Sequence, residues 1–238
     1  MNDTATGTVG VVGLGYVGLP LSLAMTSAGY DVVGVDIDDD RVELLQTGTS
    51  YVSDVSDSIL SRGITTGFRP TTEYDALADV EAVSICVPTP MRKSGTPNLS
   101  YVASAVEELL GILSEGCTVI LESTVYPGAT EELIAERLTD NGFTVGEDIF
   151  VAFSPERIDP GNEQYGPADM PKVLGGVTTA CGDRATALYE PVFDQVVRVD
   201  SATEAELVKL LENTFRAVNI GLINELAQIA HSLDVDIW

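Results

Sequence analysis

The stretch Val9-Gly10-Val11-Val12-Gly13-Leu14-Gly15-Tyr16-Val17-Gly18 decides the fold of this 238-residue chain. A β-branched run leads directly into three glycines with the spacing Gly-x-Gly-x-x-Gly, and an apolar helical pattern follows. The first glycine permits a tight turn, the second lets the backbone approach a phosphate, and the third lets helix and strand pack closely. The N-terminus of the helix offers backbone N–H groups to phosphates. We therefore predict that a dinucleotide binds at Gly13, Gly15, Tyr16, Val17 and Gly18.

An acidic residue strengthens this interpretation. A second predicted strand, Asp31–Val35, ends in front of Asp36, about 20 residues beyond the glycines, where a carboxylate is expected to receive ribose hydroxyls. A carboxylate there would also repel the 2′-phosphate of NADP, so we predict NAD as the cofactor. Arg41 is a nearby cation that could contact the adenosine ribose or a phosphate. A plain glycine turn with a strand-end cap stays open as the alternative.

The rest of the chain alternates short β-branched runs with longer helical patterns, which indicates an α/β fold. We predict a Rossmann-type, mostly parallel, doubly wound sheet. The segment 51–79 predicts a short helix, a turn and an extended stretch. The predicted strands are 8–12, 31–35, 82–87, 117–122, 149–153, 173–176 and 196–199. The predicted helices are 17–28, 39–47, 101–113, 130–141 and 184–193.

The pattern changes at Ala202. From there to about Leu233 apolar residues recur every three or four positions, with one glycine and no proline, which predicts one long helix. This helix is apolar on several sides, so it is expected to pack against more than one neighbour. We predict an NAD-binding domain at 1–200 and the start of a second, α-helical domain at 201–238. We also expect a longer parent protein.

Composition excludes several classes of function. The formal net charge is −25, which argues against a protein that binds nucleic acid or an anionic membrane. The chain has only three lysines, and such an acidic, lysine-poor composition is typical of halophilic proteins. Its single histidine excludes a metal site built on histidines, so we expect no metal. No apolar run is long enough to span a membrane and no signal peptide is evident, so we expect a cytoplasmic protein. Cys86 and Cys117 lie in predicted strands and are expected to be buried.

Five motifs in a fixed order narrow the function. With them the chain resembles the UDP-glucose/GDP-mannose dehydrogenase family, the nucleotide-sugar 6-dehydrogenases, over residues 8–238. The motifs are Gly13-Leu14-Gly15-Tyr16-Val17-Gly18-Leu19-Pro20, Cys86-Val87-Pro88-Thr89-Pro90, Glu122-Ser123-Thr124-Val125-Tyr126-Pro127-Gly128, Ser154-Pro155-Glu156-Arg157 and Glu206-Leu207-Val208-Lys209-Leu210-Leu211-Glu212-Asn213-Thr214.

The resemblance implies roles for the residues in these motifs, and ordinary structural roles remain as alternatives. Thr124 could cap the next helix, Glu156 could pair with an arginine, and Lys209 with Asn213 could lie on a solvated helix face. In the family, loop residues after the strands bind the cofactor, a carboxylate serves the hydrolytic half-reaction, and a lysine and an asparagine bind substrate and stabilise an oxyanion. These implied residues are Pro88, Thr89 and Thr124 for the cofactor, Thr124, Glu156, Lys209 and Asn213 for catalysis, and Glu156, Arg157, Ile158, Lys209 and Asn213 for the substrate.

The resemblance also implies a reaction, in which the C6 alcohol of a UDP-sugar is oxidised to a carboxylate with two NAD reduced. The family uses a cysteine in a glycine-rich segment that is absent from this sequence, so we expect this chain alone to bind NAD without completing turnover. The Glu156-Arg157-Ile158-Asp159-Pro160 sequence is closer to the branch acting on UDP-N-acetylglucosamine or UDP-N-acetylmannosamine than to UDP-glucose dehydrogenases. The family further implies a homodimer formed through the 201–238 helix. A non-catalytic NAD-binding or dimerisation module remains the alternative from another class.

Overall fold

The strands assemble into one sheet whose carboxyl edge carries most of the predicted motifs. A computed structural model of the protein describes residues 6–156 and 171–237. Within these ranges eight strands hydrogen-bond side by side in the order β3-β2-β1-β4-β5-β6-β7-β8. They are β1 (Thr8–Val12), β2 (Asp31–Val35), β3 (Phe68–Thr71), β4 (Ala82–Ile85), β5 (Thr118–Leu121), β6 (Phe150–Phe153), β7 (Lys172–Gly176) and β8 (Val196–Arg198).

All neighbouring pairs from β3 to β6 are parallel, whereas β7 runs antiparallel to β6 and parallel to β8. The mostly parallel, Rossmann-type sheet predicted from the sequence is therefore confirmed. The order reverses at β1, which lies between β2 and β4. Open parallel sheets bind ligands at such a reversal, outside the carboxyl ends of the strands. The topology thus opens a crevice where β1 meets the glycine motif.

Helices cover both faces of the sheet and bury its central strands. One face buries Val9, Val11 and Val32, and the other buries Val33 and Val35, because successive side chains of a strand alternate between faces. Every residue of β4, β5 and β6 is buried. The helices are α1 (Gly18–Ala28), α2 (Asp39–Gln46), α3 (Asp57–Thr66), α4 (Ser100–Leu110), α5 (Glu136–Asp140), α6 (Thr179–Tyr189) and α7 (Ala202–Ser232), with a π-helical turn at Glu131–Ala135.

Two predicted helices needed correction, and one predicted extended stretch was confirmed as a strand. The extended stretch in 51–79 is the edge strand β3, which accommodates Pro70 because an edge position tolerates a missing N–H donor. Helix α6 begins at Thr179 rather than at 184, since the Thr178 hydroxyl caps it by accepting from the Cys181 N–H. The helix predicted for 130–141 is divided into the π-helical turn and α5.

Helix α7 extends the chain well beyond the sheet. Its 31 residues reach about 46 Å at 1.5 Å per residue. Ser201 caps its start by accepting from the Glu204 N–H at 3.1 Å. Only its first turns are buried, at Ala202, Ala205 and Glu206, whereas apolar side chains farther along are exposed. No helix in 6–156 or 171–237 has both the length and the apolar character needed to cross a bilayer.

Candidate active site at the carboxyl edge of the sheet

A cleft of about 1400 Å³ runs along the carboxyl edge from β2 to β6. The loops that follow β1, β2, β4, β5 and β6 all contribute to its walls, as expected for a ligand site at a strand-order reversal. Ten of the residues singled out from the sequence line it: Gly13, Gly15, Tyr16, Val17, Asp36, Arg41, Pro88, Thr89, Thr124 and Glu156.

The three glycines of the motif face different constraints. Gly13 has a φ of +90° and donates its N–H to the Val35 carbonyl at 2.7 Å, so it makes the tight turn. A Cβ at Gly18 would overlap the Gly13 carbonyl oxygen, so this glycine lets α1 pack against β1. A Cβ at Gly15 would have no atom within 4 Å and would project into open space. That space is the backbone cradle a pyrophosphate requires, so the residues present fit a dinucleotide.

Asp36 is held in position by the backbone of the glycine loop. One carboxylate oxygen accepts from the Leu14 N–H at 2.8 Å and the other from the Asp38 N–H at 3.1 Å. The Arg41 guanidinium lies 3.9 Å from the Asp36 carboxylate and 5.5 Å above the Tyr51 ring. Each carboxylate oxygen keeps a further lone pair for an incoming hydroxyl. The fixed carboxylate can therefore receive a ribose diol beside a cation.

Two hydroxyls join the loops that follow β4 and β5. The Thr89 hydroxyl donates to the Thr124 carbonyl at 2.9 Å, and the Ser123 hydroxyl donates to the Val87 carbonyl at 2.6 Å. Because the Thr89 proton is used in this way, Thr89 can only accept a hydrogen bond from a ligand. Thr124 lies on the cleft wall and does not cap the next helix. The two loops therefore form one braced wall of the cleft.

Glu156 follows β6 and lies where α7 meets the cleft. The ammonium group of Lys209 donates to the Glu156 backbone carbonyl, which brings two of the predicted residues together. Burial lowers the pKa of Lys209, although the Glu156 carboxylate opposes this effect. Asn213, one turn farther along, is exposed and is not part of the described cleft wall. Arg157 and Ile158 lie outside the described residues.

A buried charged cluster behind the cleft was not predicted from the sequence. Lys172, the first residue of β7, donates to the Glu122 carboxylate at 2.5 Å, and its Nζ lies 3.8 Å from the Glu156 carboxylate. The Tyr189 hydroxyl donates to the other Glu122 oxygen at 2.5 Å and lies 3.0 Å from the Ser84 hydroxyl oxygen. Burial alone would lower the pKa of Lys172, but the two carboxylates raise it above its usual value. The cation is therefore retained at neutral pH.

The cysteines are buried as expected. Cys86 lies on the cleft wall but is 8% exposed, and Cys117 is 2% exposed. Burial raises the pKa of the Cys86 thiol well above its usual value, and the nearby carboxylates act in the same direction. A thiol in this environment stays protonated and is a poor nucleophile.

Glu206 fixes the start of α7 against the loop that follows Thr124. Its side chain is fully buried and accepts three hydrogen bonds, from the Gly128 N–H at 2.5 Å, the Thr130 N–H at 2.8 Å and the Thr130 hydroxyl at 2.6 Å. These N–H groups precede the π-helical turn, so a carboxylate is favourable there. The anchor sets the position of Lys209 one turn later.

Comparison with known proteins identifies this arrangement. Residues 7–193 match the model of the NAD binding domain of the UDP-glucose/GDP-mannose dehydrogenase family, and residues 203–238 match the model of that family's central domain. The chain belongs to this family. Its glycine loop and Asp36 are thus part of a family NAD-binding domain, and NAD is the cofactor that this domain binds.

The most similar relatives include two UDP-N-acetyl-D-mannosamine dehydrogenases. Those from Pyrococcus horikoshii and Salmonella typhimurium are each 36% identical, with 97% of this chain covered and 55% and 56% of the relatives. A solved UDP-D-ManNAc dehydrogenase from Pyrococcus horikoshii superposes with a TM-score of 0.89 at 35% identity, covering 96% of this chain and 55% of that one. The chain therefore spans about half the length of the relatives it matches.

Proposed function

We propose that this chain is the cofactor-binding part of an NAD-dependent nucleotide-sugar 6-dehydrogenase that acts on a UDP-N-acetylhexosamine. The proposal rests on the 36% sequence identity with a UDP-N-acetyl-D-mannosamine dehydrogenase, in an alignment that covers 97% of this chain. We favour UDP-N-acetyl-D-mannosamine as the substrate. The product, a UDP-linked uronic acid, would supply polysaccharide or glycan synthesis in the cytoplasm.

NAD accepts hydride from the sugar when it is bound, and the chain's own residues orient the reactants. Asp36 and the glycine loop hold the adenosine half, and the braced wall with Pro88, Thr89 and Thr124 borders the nicotinamide half. The Glu156 carboxylate orients water for the hydrolytic step. The Lys209 ammonium, with Asn213 on the same helix face, stabilises the oxyanion that develops on the substrate. Arg157 and Ile158 contribute backbone contacts to the substrate.

Calorimetric titration of this chain with NAD⁺ tests the cofactor part of the proposal. Asp36→Asn should weaken NAD⁺ binding by roughly thirtyfold, because a charged hydrogen bond is worth about 2 kcal/mol. Asp39→Asn is the matched control, since Asp39 is exposed in the neighbouring helix α2 and lies outside the cleft wall. Equal losses in the two variants would contradict the assigned role of Asp36.

The substrate is tested with the whole protein. We expect two NADH per molecule of UDP-N-acetyl-D-mannosamine, followed by absorbance, and a much lower kcat/KM for UDP-glucose. A higher kcat/KM for UDP-glucose would replace the proposed substrate with that sugar. A whole protein that binds NAD⁺ yet oxidises neither sugar would favour a non-catalytic module.

We also propose that α7 forms a homodimer interface in the whole protein. Between Leu207 and Ile229 the helix exposes many large apolar side chains, which normally are covered by a partner. The acidic, lysine-poor composition supports a halophilic protein, whose self-repulsion salt would screen.

A further inference from the structure

The cluster of Glu122, Lys172 and Glu156 contains two carboxylates and one ammonium group. Both carboxylate residues belong to the cleft wall, whereas Lys172 and Lys209 do not. Lys172 is only 4% exposed in its side chain, and Glu122 is fully buried. The Glu156 side chain is 20% exposed, so the cleft meets this carboxylate before it meets the ammonium group of Lys172.

This charge lies at the end of the cleft away from Asp36. In the sheet, β2 precedes Asp36 and β5 precedes Glu122, with β1 and β4 between them. Three strand spacings correspond to about 14 Å, the scale of an extended dinucleotide. Because Asp36 takes the adenosine ribose, the nicotinamide ring falls on the side of Glu122, Thr124 and Glu156.

The chain's lysine content shows that Lys172 is not an ordinary surface charge. The whole sequence contains three lysines, Lys93, Lys172 and Lys209, and Lys93 is exposed on a loop. The other two both contact Glu156, one at its carboxylate and one at its carbonyl. Two of the three lysines in this chain therefore lie at this end of the cleft.

We propose that Glu122 and Glu156 make the cleft prefer the oxidised nicotinamide ring over the reduced ring, and that Lys172 sets the strength of this preference. The oxidised ring is cationic and the reduced ring is neutral, whereas the remainder of the cofactor is the same in both. The ratio of the two dissociation constants therefore isolates the field at the ring. Such a preference would help a dehydrogenase to release NADH after each hydride transfer. The inference rests on the proposed NAD-binding function.

The ratio of the NADH and NAD⁺ dissociation constants of this chain tests the proposal, without any need for turnover. NADH binding can be followed by fluorescence and NAD⁺ binding by calorimetry. Glu122→Gln leaves Lys172 facing Glu156 alone, so the preference for NAD⁺ should fall roughly fivefold, the effect of one charge at about 10 Å in a partly polar site. Glu156→Gln should lower it similarly, and it removes a less buried group if the first variant folds poorly.

The double variant Glu122→Gln with Lys172→Met distinguishes an electrostatic role from a structural one. It removes a buried cation and a buried anion together, which folded proteins tolerate far better than the loss of one partner. Because the local net charge returns to that of the wild type, the preference should return to within about twofold of the wild-type ratio. Glu147→Gln is the matched control, since it removes an exposed charge outside the cleft wall.

Two results would overturn the proposal in distinguishable ways. If both nucleotides bind and the ratio is unchanged in Glu122→Gln and Glu156→Gln, the electrostatic preference is refuted and the proposed NAD-binding function stands. A double variant as impaired as Glu122→Gln would likewise show that the cluster acts only through structure. If the wild-type chain binds neither nucleotide, the proposed function itself fails and this inference fails with it.

Discussion

Replacing Glu206 by glutamine should destabilise the protein far more than the similar size of the two side chains suggests. The wild-type carboxylate accepts from the Gly128 N–H at 2.5 Å and from the Thr130 N–H at 2.8 Å. A glutamine oxygen can keep the Thr130 bonds, but its amide NH₂ would then point at the Gly128 N–H. Two donors would face each other at a fully buried position.

The magnitude follows from these contacts. A hydrogen bond to a charged group contributes about 1.5–3 kcal/mol, and an unsatisfied buried N–H costs about 1–3 kcal/mol. Partial relaxation of the loop recovers some of this energy, so we expect a net loss of about 3 kcal/mol in the free energy of unfolding. For a domain of this size that corresponds to a fall of about 6–12 °C in Tm.

Urea denaturation and thermal unfolding at a fixed salt concentration measure this loss. Glu225→Gln is the control, because Glu225 is exposed on the same helix and its replacement removes the same single negative charge. Amide hydrogen exchange of Gly128 and Thr130 should also become faster in Glu206→Gln. A free energy of unfolding within about 0.5 kcal/mol of the Glu225→Gln value would refute the role of Glu206 as the anchor of α7.

Three further outcomes are expected. Gly15→Ala should keep the wild-type Tm and lose at least about tenfold in NAD⁺ affinity. Gly18→Ala should instead lower the Tm strongly, because its Cβ would overlap the Gly13 carbonyl. Equal losses of Tm in the two variants would contradict the assignment of Gly15 to the pyrophosphate cradle. Stability should fall between about pH 9 and pH 12, because burial raises the pKa of Cys117 to about 12 and the unfolded chain releases this proton first. Cys117→Ala should remove the Cys117 part of that decline, which reaches about 4 kcal/mol at three pKa units, and should leave the part that the buried Cys86 thiol contributes. Ser123→Ala removes the 2.6 Å bond to Val87 and should cost about 1–2 kcal/mol in urea denaturation, with no change in the slope with pH.

The cofactor half of the site could be predicted from the sequence because its signals are local. The glycines and Asp36 lie on one βαβ unit, so spacing along the chain determines their spacing in space. The same holds for the residues directly after β4 and β5, since parallel strands bring their carboxyl ends to one edge. What the sequence could not give was the hydrogen bond that occupies the Thr89 hydroxyl, because its acceptor lies 35 residues away.

The errors in the helices and strands also have physical causes. Gly182 weakens the helical signal at the start of α6, but a Cβ there would lie 2.8 Å from the Arg198 guanidinium, so the glycine leaves room for that side chain. A proline such as Pro70 argues against a strand in the interior of a sheet, because it cannot donate a backbone hydrogen bond. Strand β3 can contain Pro70 because it lies at the edge of the sheet. In both places a tertiary neighbour outweighs the local preference, and no window of sequence contains that neighbour.

The pair formed by Glu122 and Lys172 illustrates the limit most clearly, and it also shows which signal was available. The residues are 50 positions apart, and β7 meets β6 in the antiparallel direction, which the alternating βα pattern does not indicate. The amino-acid composition nevertheless contains a signal for Lys172, which was not used in the sequence analysis. Because the chain has only three lysines, each one is a candidate for a position that needs an ammonium group. Two of the three lie against Glu156, and one of these, Lys172, is the compensating cation that the buried Glu122 carboxylate requires.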